Sequence, residues 1–140
     1  MTDADISRET RDAVADVLVR YATGIDSRDW ALFRTCFTDD CDVDYGEIGH
    51  WHGRDEVTTW MAETHEPIGP TLHRISNITV RRDGDRVTAR SYVHAILVLP
   101  DRSAIHAYGR YDDVLVGPDA PTIARRRFTT VTTELHAPTA

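Results

Sequence analysis

Lysine is missing from this sequence: all 16 basic residues of the 140-residue chain are arginines. Without lysine the chain can form neither a Schiff base with a carbonyl substrate nor the lysine–phosphate contact of a P-loop. A GC-rich genome would by itself produce such an arginine bias, but the chemical exclusion holds whatever its origin. The composition therefore favours acid–base chemistry that needs no amine nucleophile.

Cysteine and long apolar runs are also scarce. Cys36 and Cys41 are the two cysteines and form no CxxC pattern, which suits a reducing compartment better than a disulfide framework. Residues 1–6 are acidic without an apolar run, and no stretch approaches the length of a membrane span. We expect a cytoplasmic protein with no membrane partner.

Several kinds of site have no counterpart in the sequence. A Gly-rich phosphate loop, a GxSxG nucleophile elbow and a nucleophilic Cys–His signature are all absent. The net charge of -7 argues against nucleic acid, because phosphate binding needs a basic face. The length suits one domain, residues 1–140, and the sequence predicts neither a cofactor nor a nucleic-acid partner.

Three helices are predicted in the first half of the chain. Apolar residues recur at helical spacing from Val14 to Ile25, with Ser7 as the N-cap. Asp29 caps a shorter helix that runs through Trp30 to Phe37 on one side. A third helix, with Trp60 in its apolar stripe, covers residues 54–64.

Strands dominate the second half of the chain. Cys41 to Tyr45 alternates apolar and acidic residues, as a half-buried strand does. Four long antiparallel strands, twisted or bulged, are predicted at residues 72–82, 86–99, 103–116 and 122–135, separated by turn sequences. Helices followed by a curved antiparallel sheet define an α+β fold with a hollow, and hence a pocket, beneath the sheet.

Asp26 and His73 are the leading candidates for acid–base chemistry. Period-two alternation puts His73, Ile75 and Asn77 on one strand face, so Asn77 could orient a ligand or a partner group. Asp26 lies at a helix C-terminus, where the helix dipole disfavours negative charge, and Asp29 is the better cap. A structural histidine and a capping aspartate are the alternative readings of these two residues.

Other polar residues could line the pocket. Tyr21 and Tyr45 could present hydroxyls into the same hollow, although core packing of both rings is the alternative. The second long strand offers His94 and the third offers Tyr108, but the sequence does not say which faces point inward. Trp30 and Trp60 complete the predicted substrate-binding set.

A histidine pair raises the question of a metal site. His50 and His52 share one face of an extended segment. Glu47 is the only close acidic candidate, and no Cys, His or carboxylate at a recognised ligand spacing completes a site. The sequence therefore predicts no metal.

Six segments of the chain resemble SnoaL-like members of the nuclear transport factor 2-like (NTF2-like) superfamily. They are YATGIDSRDWALF at 21–33, CFTDD at 36–40, WHGR at 51–54, HRISN at 73–77, GRYDD at 109–113 and IARRR at 123–127. The resemblance implies a cone of three N-terminal helices packed on a strongly curved antiparallel sheet that encloses a pocket.

Within that superfamily the pattern is similar to the branch of scytalone dehydratase, bile-acid 7α-dehydratase and lindane dehydrochlorinase. These enzymes pair an aspartate after the first helix with a histidine opening the sheet, and Asp26 and His73 match those positions. Tyr21 and Tyr45 match places where members carry a pocket tyrosine. The resemblance implies no metal and no organic cofactor. Scytalone dehydratase has a second histidine, onto which neither His94 nor His106 can be placed.

The resulting hypothesis is a cofactor-free lyase of the dehydratase type acting on a small hydrophobic cyclic or polyketide-like molecule. An isomerase or polyketide cyclase using the same pair, and a non-catalytic small-ligand-binding domain, are the alternatives. Self-association is expected because outer-face residues such as Phe128, Thr130 and Thr132 leave the sheet only partly polar. The family branch favours a trimer over a dimer.

Overall fold

Three helices precede most of the sheet in a computed structural model that describes residues 6–138. Helix α1 spans Arg8–Asp26, α2 spans Trp30–Arg34 and α3 spans Arg54–His65. Thr10 N–H donates to the Ser7 side chain at the start of α1, and Leu32 N–H donates to Asp29 at the start of α2. Both predicted N-caps are thereby confirmed.

Six strands form one curved, unclosed sheet. They are β1 (Phe37–Asp44), β2 (His50–His52), β3 (Thr71–Asp83), β4 (Arg86–Val98), β5 (Ala104–Val116) and β6 (Thr122–His136). Their order is β2-β1-β6-β5-β4-β3, and the pairs are antiparallel except for β1 with β6, which is parallel. The arrangement is the α+β, NTF2-like fold expected from the sequence.

The two faces of the sheet differ sharply in burial. Along β4, Val87, Ala89 and Val93 are buried beneath the helices, whereas Arg90 and Tyr92 are exposed on the other side. We call these the helix-facing face and the outer face. The core lies between the helices and the helix-facing face. Its largest fully buried side chains include Arg126, Tyr21, Phe33, Phe37, Leu18 and Ile25.

Two details of the predicted elements are wrong. The second helix ends at Arg34 rather than at Phe37, and Phe37 opens β1 with a fully buried ring. The register of β3 against β4 shifts between Ser76 and Thr79, and Asn77 adopts φ 52° there. The bulge reverses the alternation, so Asn77 is exposed and Val80 is buried on the helix-facing side.

Phe128 also differs from its predicted place on the outer face. Its ring centroid lies 5.1 Å from that of Tyr45 and 5.4 Å from that of Tyr111, so it packs against the core. Both cysteines are buried and unpaired. No helix within residues 6–138 is long and apolar enough to cross a membrane.

Candidate active site

Asp26 and His73 meet where the end of α1 faces the start of β3. Nδ1 of His73 lies 2.7 Å from Oδ1 of Asp26, and the backbone N–H of His73 donates to Oδ2 at 2.8 Å. The imidazole side chain is 8% exposed and the carboxylate 22%, so the pair is largely but not completely shielded from solvent. The predicted hydrogen-bond contact between these two residues is confirmed.

Two further residues hold the Asp26 carboxylate. Thr71 Oγ1 donates to Asp26 Oδ1 at 2.9 Å, and Arg28 donates to Thr71 Oγ1 at 2.9 Å and to the carbonyl of Gly69 at 2.7 Å. Arg28 adopts φ 56° as the chain turns after α1. Neither residue was predicted. The period-two pattern that selected His73 also places Thr71 on the same face.

The electrostatic balance at Asp26 favours the ionised carboxylate. Burial by itself raises the pKa of Asp26, but the hydrogen bonds from the side chain and backbone of His73, together with Thr71, outweigh burial and lower it below its usual 3.8. An ionised Asp26 accepts the Nδ1 proton of His73. Nε2 of His73 is then the ring atom that can accept a proton.

A second histidine, missed by the sequence analysis, lies beside this pair. His65, in the last turn of α3, is 5% exposed, and its ring centroid is 6.4 Å from that of His73. Its Nδ1 donates to the carbonyl of Met61 at 2.8 Å, while Nε2 has no hydrogen-bond partner among the described residues. Burial lowers the pKa of His65. A signal was available, because Met61 and His65 are one helical turn apart on the buried face.

Of the two tryptophans in the predicted binding set, the structure brings only Trp30 towards the Asp26–His73 pair, called the dyad below. The Trp30 ring centroid lies 6.0 Å from that of His65. Trp60 instead stacks near Trp51, with ring centroids 4.2 Å apart, and lines a shallow cavity of about 500 Å³ with Glu56 and Glu63.

Tyr21 and Tyr45 form a polar pair in the core. Their hydroxyls are hydrogen-bonded to each other and both rings are packed in the core, which is the alternative to an open hollow. Burial raises the pKa of both phenols, so each keeps its proton at neutral pH. The Arg126 guanidinium lies 4.3 Å from the Tyr21 ring centre and 3.8 Å from that of Tyr111.

Arg126 is fully buried and forms a bidentate ion pair with Asp113, at 2.7 and 2.9 Å. Its Nη1 atom has no hydrogen-bond partner among the described residues. Sequence reasoning missed this pair because Arg126 lies within a run of three arginines that resembles a solvated surface. Their cross-strand register, with Asp113 opposite Arg126, needed the structure.

Three predicted binding residues lie away from the dyad. His94 is on the outer face, with Nε2 2.9 Å from Nδ1 of His106, and its ring stacks on Tyr108 at 4.5 Å. The prediction that His94 and Tyr108 line the pocket is wrong, because both side chains point to the outer face of the sheet. Asn77 is exposed at the bulge, where the alternation that groups it with His73 is interrupted.

The largest cavity described, about 930 Å³, opens on the outer face rather than beneath the sheet. It is lined by charged residues including Arg90, Asp112, Arg125 and Arg127, and neither it nor the smaller cavity includes Asp26 or His73. The pocket expected next to the dyad stays a prediction.

Near this outer cavity, the histidine pair of β2 acquires a carboxylate partner. Asp42 Oδ1 is 2.9 Å from His50 Nε2 and 2.9 Å from His52 Nδ1. The expectation that no carboxylate completes this pair is wrong, because β1 pairs with β2 and puts Asp42 opposite His52. Glu47 belongs to a short 3-10 turn, Gly46–Ile48, between the two strands.

The fold, with helices packed on one curved six-stranded sheet, defines a small α+β protein of the NTF2-like class. Residues 7–121 match the SnoaL-like domain family, and the chain belongs to that family.

Related proteins agree with this assignment. Uncharacterized protein Rv2910c of Mycobacterium tuberculosis is 29% identical over 117 residues, which cover 81% of this chain and 80% of that protein. A scytalone dehydratase-like protein from Novosphingobium aromaticivorans is 24% identical with a TM-score of 0.80, covering 91% of each chain. A hexachlorocyclohexane dehydrochlorinase from Novosphingobium barchaimii is 16% identical with a TM-score of 0.81, covering 91% of this chain and 90% of that one. At these identities the structural likeness establishes the fold alone.

Proposed function

We propose that the protein is a cofactor-free lyase of the dehydratase type that acts on a small hydrophobic cyclic or polyketide-like molecule. The observation that carries the proposal is the hydrogen bond between Asp26 and His73 in a shielded position. A binding domain gains nothing from a carboxylate that fixes a histidine tautomer. A general base gains both orientation and charge stabilisation from it.

In the proposed reaction, Nε2 of His73 removes a carbon-bound proton next to an electron-withdrawing group. The electron pair of the broken C–H bond forms a new double bond, and the C–O bond to the leaving hydroxyl breaks. Asp26 stabilises the imidazolium that His73 becomes. The leaving oxygen takes a proton and departs as water, and His73 returns its proton to solvent.

Tyr21 or Tyr45 is the proposed proton donor to the leaving oxygen. Both phenols are protonated at neutral pH, and their hydroxyls already share a hydrogen bond. His65 is the proposed positioning group for the substrate, because its Nε2, which has no hydrogen-bond partner within residues 6–138, can accept a hydrogen bond from a substrate hydroxyl. Trp30 would supply apolar surface there.

The second candidate is an isomerase or polyketide cyclase in which the abstracted proton is returned to carbon. It is favoured by the same dyad, since proton abstraction is common to both reactions. A non-catalytic ligand-binding role is the third candidate and requires the dyad to be merely structural.

Mass spectrometry in D₂O separates the candidates. The purified protein is incubated with a panel of small cyclic β-hydroxyketones and polyketide-like phenols, with His73→Ala as the matched control. A lyase yields a product lighter by one water, whereas an isomerase or cyclase that returns the proton yields an isomer carrying deuterium on carbon. Turnover by wild type and not by His73→Ala supports catalysis by the dyad. Equal turnover by both proteins would overturn it.

A further inference from the structure

Three potential metal ligands converge at the free edge of the sheet. Asp42 of β1 faces His52 across the strand pair, and His50 lies two residues before His52 on the same face of β2. The Asp42 Oδ1 atom is 2.9 Å from one ring nitrogen of each histidine, and the two ring centroids are 4.6 Å apart. One oxygen and two imidazole nitrogens thus lie within 4.8 Å of one another.

The two separations between Asp42 and the histidine nitrogens are close to those in a coordination sphere. A tetrahedral zinc ion with bonds of about 2.0–2.1 Å holds its ligand atoms about 3.3–3.4 Å apart. The Asp42–histidine separations need to open by only a few tenths of an ångström to admit the ion. These side chains can move that far, because those of Asp42, His50 and His52 are 32%, 45% and 74% exposed.

We propose that Asp42, His50 and His52 bind a divalent transition-metal ion of the zinc class. Two neutral imidazoles and a carboxylate are ligands that zinc accepts, and the remaining positions are open to water. The proposal is independent of the chemistry of Asp26 and His73, which lie at the end of α1 and the start of β3.

The surroundings set the strength of this site. Asp44, Arg125 and Arg127 line the same outer cavity as Asp42 and His50. The two guanidinium groups oppose a cation and Asp44 favours it, so we expect an exchangeable surface site rather than a buried structural zinc.

Binding of the metal ion would also stabilise the pairing of β2 with the sheet. β2 is a three-residue edge strand paired only with β1, and an ion shared by the two strands would fasten it.

The test is calorimetric titration of the tag-free, chelator-treated protein with Zn²⁺. Wild type is expected to bind one equivalent at this site, and Asp42→Asn, His50→Gln and His52→Gln each to weaken that binding at least about tenfold. His94→Gln is the matched control, because His94 and His106 form another histidine pair, partly buried, on the outer face. The His94→Gln variant is expected to bind the same one equivalent of zinc with unchanged affinity.

Two readouts separate the proposed site from loss of folding or from non-specific binding. Zinc should raise the melting temperature of wild type and not that of His52→Gln, since a ligand bound only to the folded state stabilises it. Without metal the two proteins should melt alike, because His52 is an exposed side chain. Zinc affinity that is unaffected by all three ligand substitutions, or that is lost in His94→Gln, would overturn the proposal.

Discussion

Asp26 is the last residue of α1, where the partial negative charge of the helix end opposes a carboxylate. It is ionised there because three donors compensate. The backbone N–H and Nδ1–H of His73 and the hydroxyl of Thr71 contact it directly, and Arg28 donates to Thr71 and to nearby carbonyls. The same contacts fix the orientation of the imidazole, which the proposed role of His73 as a base requires.

The lowered pKa of Asp26 predicts a pH-dependent contribution to stability. A carboxylate whose folded pKa is below its unfolded value stabilises the protein fully above that unfolded value, here its usual 3.8, and this contribution is lost as pH falls through the folded pKa. Melting temperatures of wild type and Asp26→Asn should therefore differ most near neutral pH and converge in acid. A difference that stays constant down to strongly acidic pH would contradict the lowered pKa.

Sequence reasoning found the two dyad residues but not their supports. Asp26 and His73 stand out because each is left over once caps and apolar faces are assigned. Thr71 and Arg28 act through contacts between segments over 40 residues apart, and no local pattern encodes those contacts. His65 could have been found from its position one turn after Met61 on the buried face of α3.

At the scale of strands, the bulge in β3 decides which residues face the helices. Asn77 has a left-handed backbone, which costs most residues about 1–2 kcal/mol but suits Asn and Gly better. The period-two rule holds from Thr71 to Ser76 and fails at the bulge, which is why the exposure of Asn77 was not predicted. A one-residue bulge leaves no clear sequence signal.

Substitutions at Asn77 test this reading. We expect Asn77→Val to destabilise the protein by about 1–2 kcal/mol and Asn77→Gly to be neutral or stabilising, as measured by urea unfolding. Thr79→Val, an exposed site on the same strand, is the control and should change stability little. Turnover should be unchanged in both Asn77 variants. A Val variant as stable as wild type would exclude backbone strain at this position.

The strands β5 and β6 are joined in the core by the ion pair of Asp113 and Arg126. Removing one partner leaves an uncompensated buried charge, so Arg126→Met should cost about 3–5 kcal/mol of unfolding free energy. The double variant Asp113→Leu/Arg126→Met removes both charges and should recover most of that loss. Urea unfolding of the single and double variants measures this. Losses that simply add would show that the two side chains do not act as a pair.

On the scale of the whole molecule, the outer face of the sheet is the surface most suited to self-association. Leu72 and Tyr92 lie on this face with 54% and 46% exposure. Phe128, which was predicted to contribute to the same face, points inward instead. The sequence predicted the α+β cone well, because helix and strand periods are strong signals. It could not tell which strand face is outer, and His94 and Tyr108 were misplaced as a result.

We expect a homo-oligomer. Light scattering at micromolar concentration should return a multiple of 15.8 kDa, and Tyr92→Asp should lower the mass because it introduces a charge into the proposed contact. The exposed Arg102→Ala variant, outside the strands, is the control. A wild-type protein of monomer mass would contradict the prediction.

We propose that Asp26 and His73 act together as one acid–base unit. With a substrate found by the mass-spectrometric screen, kcat is measured for His73→Ala, Asp26→Asn and the double variant, with melting temperatures confirming that each is folded. If the two residues form one unit, His73→Ala lowers kcat about 10²–10⁴-fold, Asp26→Asn lowers kcat as well, and the double variant is little worse than His73→Ala. Full activity in His73→Ala, or losses that multiply in the double variant, would contradict it.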